Sequence, residues 1–211
     1  MGAGPTERVR RVYDAQAQDY DRVFAVAERR LLGHHRAWAT SRAEGSVLEL
    51  CVGTGLDLPL YGPRVERVLG VDLSEGMLAV ARSRRQSLGP DTRVELRCGD
   101  VEALDLPDAC VDAVIATYAL CTVPDPGSAL AEARRVLRPG GRLLLVDHGP
   151  SSSRAVRAVQ RLLDPVTVRW QADHLLRDPR RLVLDAGFAV VEADRAGRAG
   201  LVHRVHARSP S

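Results

Sequence analysis

The chain of 211 residues contains no lysine, so all 30 of its basic residues are arginine, a skew that reflects a GC-rich genome rather than chemistry. Aromatic residues make up only 4%, which excludes a core built on a few large rings and requires many small Ala, Val and Leu contacts instead. No apolar run approaches the ~18 residues of a membrane helix, and the N-terminus has no apolar core of a secretory signal. There is no internal repeat and no low-complexity tract. Charge of neither sign dominates: the net value of +3 is too small to indicate a nucleic-acid surface or an anionic-membrane surface by itself. Cys51, Cys98, Cys110 and Cys121 form no Cys-x-x-Cys pair and match no zinc framework, so no metal is expected and the thiols read as free in a reducing cytosol.

What is present reads as one globular domain. Residues 1–45 have helical spacing, with Tyr13, Ala17, Tyr20 and Phe24 on one face. This segment is expected either to pack as core or to lie over a ligand. From Ser46 the pattern changes to short apolar runs separated by helical stretches: Val47 to Cys51, Val68 to Asp72, Val94 to Cys98, Val111 to Thr117 and Leu143 to Asp147. That alternation predicts a doubly wound α/β domain with a mostly parallel sheet over 46–148. Ser74 is a natural N-cap, and a helix from about Gly127 to Leu137 should stop at Pro139-Gly140-Gly141.

Residues 149–187 form a further helical segment. Val156, Val159, Leu162 and Leu163 recur at helical spacing opposite Arg154, Arg157 and Arg161, and Pro165 is expected to interrupt the helix. Such a helix can lie on a membrane, but the arginine side reads first as a solvated outer face. Over 188–211, two strands joined through Gly197 and Gly200 predict an antiparallel pair.

The strongest local signal is the strand that runs into Cys51-Val52-Gly53-Thr54-Gly55, where missing side chains let a ligand approach the backbone. In open α/β sheets ligands bind outside the carboxyl ends of the strands. Asp72 ends the next strand about 20 residues on, as an acidic partner of ribose hydroxyls should. Gly99-Asp100 ends the third strand. Together the three strand ends describe a nucleoside site. A dinucleotide would need a third glycine for its pyrophosphate-binding helix, and that position is Leu58. S-adenosyl-L-methionine carries no phosphate and needs only the Gly-x-Gly turn. A nicotinamide-dependent oxidoreductase and a non-catalytic nucleoside-binding protein are the alternatives.

The segments Gly70 to Leu78, Cys98 to Glu102 and Arg134 to Gly141, in this order and spacing, resemble the class I methyltransferases, specifically the branch of ubiquinone and menaquinone biosynthesis. The resemblance covers Ser46 to His148. It implies a seven-stranded sheet with an antiparallel last strand and S-adenosyl-L-methionine as cofactor. It assigns Glu49 and the Gly53–Gly55 turn to the methionyl end, Asp72 to the ribose, Leu73 and Met77 to the adenine surroundings, and Gly99, Asp100 and Val101 to the adenine edge. Tyr20 and Thr117 complete the expected cofactor set. Cys51 stands where the family often has glycine. Leu120-Cys121-Thr122-Val123, Asp147-His148, and Leu175 with Arg177 further resemble the methyltransferase-like 7 proteins, which methylate thiols. Their Asp-Gly-Cys reads Gln171-Ala172-Asp173 here, and their apolar anchor is absent.

The resulting expectation is a cytoplasmic methyltransferase of a small molecule, thiol favoured, with O-, N- and C-methylation as alternatives. No nucleic-acid partner and no stable membrane insertion are expected, and the oligomeric state is left open. His148, Asp147 and His174 are the proton-handling candidates, with Asp173 beside them.

Overall fold

A computed structural model describes residues 4–89 and 93–210. Seven strands form one sheet: β1 (Gly45–Leu50), β2 (Val65–Asp72), β3 (Val94–Cys98), β4 (Val111–Thr117), β5 (Leu137–His148), β6 (Ala189–Ala196) and β7 (Val202–Arg208). Their order is β3-β2-β1-β4-β5-β7-β6. β1 to β5 pair in parallel, whereas β7 runs antiparallel to both β5 and β6. The expected α/β architecture with its antiparallel last strand is therefore present.

The central strands are apolar on both faces because helices cover both. Leu48, Leu50, Val114, Leu143 and Leu145 pack one side, and Val47, Ile115, Leu144 and Val146 the other. The helices are α1 (Pro5–Gln16), α2 (Tyr20–Ala27), α3 (Arg36–Thr40), α4 (Glu75–Ser87), α5 (Pro126–Val136), α6 (Arg154–Gln171) and α7 (Pro179–Asp185). Ser74 caps α4 as expected, its hydroxyl accepting the Met77 N–H at 3.1 Å.

Three local expectations need correction. The N-terminal segment is not one helix: it breaks at Ala17–Asp19 and passes through a π-helical turn, Glu28–Leu32. The aromatic face survives the break because Tyr13 and Tyr20 meet edge to face, with centroids 6.2 Å apart. Second, α5 (Pro126–Val136) matches its expected bounds to within a residue, but β5 begins directly after it at Leu137 rather than at Leu143. Leu137 is already extended and pairs with Val111, while the next paired position is Arg142 opposite Ala113, so Arg138–Gly141 bulge out of β5.

Third, α6 continues through Pro165 to Gln171. Its arginine side is also not the sole outer face, since Val159, Leu162, Leu163 and Val166 are all exposed. Its one buried side chain is polar. The Gln160 amide donates to Gly149 O (2.9 Å) and Leu175 O (3.1 Å) and accepts the Ser151 N–H (2.8 Å). Those loop groups would otherwise be buried without partners.

Candidate active site

Strand order reverses between β1 and β4, with β2 and β3 on one side and β5 on the other, so the carboxyl ends of these strands open on a common crevice. Leaving β1, Cys51 adopts a φ of +52°, the left-handed region that glycine enters without steric cost. This conformation accounts for the glycine common in the family at this position. Two residues on, Gly53 has φ +55°, and a Cβ there would meet nothing nearer than Cys51 O at 3.9 Å, leaving an open backbone cradle.

The Gly53 N–H donates to Asp72 Oδ2 (2.8 Å) and the Ser74 N–H to Oδ1 (2.9 Å). The carboxylate is thereby fixed across the β1 and β2 turns, with acceptor capacity left on both oxygens. Burial raises its pKa to about 6, against the lowering effect of these backbone donors. The Gly99 N–H donates to Asp72 O (3.0 Å), which brings the end of β3 alongside.

A cavity runs over these groups. Its floor is Cys51, Gly53, Asp72, Leu73, Met77, Gly99, Asp100 and Val101, and its wall is Thr6, Val9, Arg10 and Tyr13 of α1 with Tyr20 of α2. Glu102, Tyr118, Thr122, Val123 and Pro124 close it on the third side. Asp72, Asp100 and Glu102 make the polar lining acidic. Arg10 is already engaged by Glu7 (2.8 Å) and Asp14 (3.2 Å). A carboxylate for vicinal hydroxyls, an apolar slot and an acidic surround fit a cationic sulfonium nucleoside and oppose a pyrophosphate. The Tyr118 hydroxyl, buried here without a partner, is a further polar group a ligand could satisfy.

Glu49, Gly55 and Thr117 lie outside this lining. Glu49 is buried behind it and accepts the Tyr61 hydroxyl at 2.8 Å; burial, with Asp57 nearby, pushes its carboxyl well above the usual range. A Cβ on Gly55 would stand 2.7 Å from Leu58, so this glycine serves helix packing. Thr117 Oγ1 donates to Asp57 (2.8 Å) and accepts from Arg36 (2.7 Å) in a buried polar network.

A second cavity of about 410 Å³ shares Tyr13, Tyr20, Tyr118 and Thr122 with the first and extends to Phe24, Cys121, His148, Gln171 and Asp173. Four of the chain's eight aromatic residues converge on it: Tyr20 stacks on Phe24 at 5.5 Å, and Phe24 meets Tyr118 edge to face at 5.0 Å.

Of the expected proton-handling residues, His148 and Asp173 line this cavity, with His148 Nε2 2.9 Å from Asp173 Oδ1, whereas Asp147 and His174 do not. Burial alone would lower the His148 pKa. The hydrogen bond and charge of Asp173, with Asp147 and Asp164 behind it, prevail and raise it to about 9. Asp147 is fully buried and accepts the backbone N–H groups of Cys121 (3.1 Å) and His148 (2.8 Å), so it positions both without lining the cavity. His174 contributes its backbone N–H, to Cys121 O at 3.0 Å. Ligand atoms of Cys121, His148 and Asp173 lie within 4.8 Å of one another, a grouping that cysteine spacing alone does not reveal.

A cavity at the switch point of this sheet, sharing a wall with a second cavity, is the arrangement of a class I methyltransferase. The chain belongs to the S-adenosylmethionine-dependent methyltransferases, and S-adenosylmethionine is its cofactor. Residues 48–145 match the family described as methyltransferase domain. The chain is 38% identical over 159 residues to phosphatidylethanolamine N-methyltransferase of Cereibacter sphaeroides, covering 74% of this chain and 76% of that one. It is 35% identical over 148 residues to the ubiquinone/menaquinone biosynthesis C-methyltransferase UbiE of Acidiphilium cryptum strain JF-5, covering 66% of this chain and 58% of that one. The chain thus spans about three fifths of this quinone relative's length. The fold matches the structure of a S-adenosylmethionine-dependent methyltransferase from Thermotoga maritima, with TM-score 0.70, 23% identity, and coverage of 94% and 99%.

Proposed function

We propose that the chain transfers a methyl group to a small, largely apolar acceptor held in the second cavity, and that the acceptor atom is a thiol sulfur. The carrying observation is His148, whose Nε2 lies 2.9 Å from Asp173 Oδ1 on the wall of a cavity that shares Tyr13, Tyr20, Tyr118 and Thr122 with the first; that carboxylate raises the His148 pKa to about 9. A cation at that point stabilises an anionic nucleophile, and a thiol near pKa ~8.5 supplies thiolate at neutral pH without a strong base. The bound cofactor supplies an electrophilic methyl on a sulfonium. The chain's own residues align the acceptor and exclude water: Tyr13, Tyr20 and Phe24 wall the acceptor, and His148 faces its ionising group.

In this reading residues 1–45 act as a lid, 149–187 form the acceptor side, and the four free cysteines suit a reducing cytosol. Amide exchange across Tyr13 to Phe24 is expected to slow when S-adenosylhomocysteine is added, and unchanged exchange there would return the segment to a packing role.

An amine acceptor is the second reading. Aromatic rings beside buried carboxylates favour an ammonium, and the Cereibacter relative is named as an N-methyltransferase. Purified protein is to be screened with S-adenosylmethionine against thiols, phenols and amines, reading S-adenosylhomocysteine. Turnover of amines or phenols and of no thiol would refute the thiol assignment and leave methyl transfer intact.

A further inference from the structure

A helix on the surface of a globular protein turns its apolar stripe inward. On α6 the stripe Val159, Leu162, Val166 and Trp170 recurs at spacings of three and four residues, and these side chains are 53%, 78%, 52% and 68% exposed. The helix's one buried side chain is polar, Gln160 satisfying loop backbone groups; beside it stand half-buried Val156 and Val168, and the Thr167 hydroxyl donates to Asp173 O at 2.8 Å. Packing against the sheet therefore does not account for the stripe residues. They form a face that the described residues leave uncovered.

Charge selects what covers it. Arg154, Arg161 and Arg169 are exposed along the helix, and its one acid, Asp164, is half-buried. Arg8 of α1 stands beside the C-terminal turn, donating to Val168 O at 2.7 Å. Apolar residues flanked by arginines complement an anionic lipid surface. Two copies of this face in two-fold pairing would instead bring arginine rows together. No helix of the described residues is long and apolar enough to cross a membrane, so such a contact lies in the interface. The next residue after Trp170 is Gln171, which with Asp173 and the exposed Val23 borders the second cavity. Tryptophan is also a residue that settles at headgroup level.

We propose that α6 seats the protein on an anionic lipid bilayer, with Val159, Leu162, Val166 and Trp170 in the acyl boundary, so that the acceptor cavity is loaded from the membrane by a lipophilic molecule. The loading rests on the assignment of that cavity to the acceptor, whereas the seating does not.

The full chain is to be floated with phosphatidylcholine vesicles, with and without phosphatidylglycerol. Wild type should bind the anionic vesicles, release at high salt and show a blue shift of tryptophan emission that Trp170→Phe removes. Leu162→Glu with Val166→Glu should weaken binding about tenfold or more while thermal stability and S-adenosylmethionine affinity stay unchanged. Arg161→Glu with Arg169→Glu should cost about fivefold per residue on anionic vesicles only. Wild type that does not float overturns the proposal. So does a wild-type dimer that Leu162→Glu with Val166→Glu converts to monomer without any vesicle binding, an outcome that assigns the face to a second copy. Vesicle binding without turnover of any acceptor would reject the proposed reaction and leave the seating intact.

Discussion

Asp72→Asn is expected to weaken S-adenosylmethionine binding about a hundredfold, because charge-assisted hydrogen bonds to hydroxyls contribute about 1.5–3 kcal/mol each. The amide also opposes its own NH₂ to one of the backbone donors, Gly53 N–H or Ser74 N–H, that hold the carboxylate. Calorimetry on both proteins decides the matter, and equal affinities would remove Asp72 from the site. A pH dependence accompanies the loss. Burial raises this carboxyl to about 6, so the ion that accepts ribose hydroxyls is depleted below that value. Affinity should then fall about tenfold per pH unit in more acid solution. The folding term has the opposite sign: the folded state holds this proton more tightly than the unfolded one. Asp72 therefore contributes most to stability in acid, and its contribution fades as pH rises from the ordinary carboxylate value to about 6.

The second large effect concerns His148. If the cation is the active form, the rate with a thiol should rise toward the thiol's own pKa and fall above about pH 9, where His148 loses its proton. His148→Ala should lose about 10- to 100-fold in kcat and lose the alkaline limb as well, less than the 10²–10⁴ that removal of a general base costs. A wild-type rate that climbs through pH 9 would make neutral His148 the base and overturn its cationic role. The stabilising pair with Asp173 is fully present below the unfolded histidine value near 6.5 and is lost as pH rises through about 9. Thermal unfolding should follow the same window.

The floor of the first cavity was legible because its residues occupy ends of consecutive strands, and a glycine turn, an acid and Gly-Asp at those ends are short local patterns. The strand order β3-β2-β1-β4, which alternation does not give, brings Gly53, Asp72 and Asp100 to one cavity. Glu49, Gly55 and Thr117 lie near the same strand ends, yet the Glu49 and Thr117 side chains are committed to internal hydrogen bonds and Gly55 to close packing against Leu58, which only the packed fold decides. Tyr118 went unnoticed although it follows β4, whose end faces the same crevice. Its signal is a φ of +51°, invisible in the residue type. The inward face of α6 was misread for a related reason: Gln160 is buried because loop carbonyls 11 and 15 residues away from it, at Gly149 and Leu175, need a donor, and helical periodicity contains no information about loops.

Asp14 of α1 accepts the Ser74 hydroxyl (2.6 Å) and the Gly76 N–H (3.0 Å), and Asp21 of α2 accepts the Thr54 hydroxyl (2.6 Å) and pairs with Arg84 (2.5 Å). These clasps fasten the outer wall to the same two turns that hold Asp72. Displacing the wall therefore removes hydrogen bonds from both turns at once. Closure of the wall and order in the two turns are thereby coupled through two aspartates that do not line the cavity.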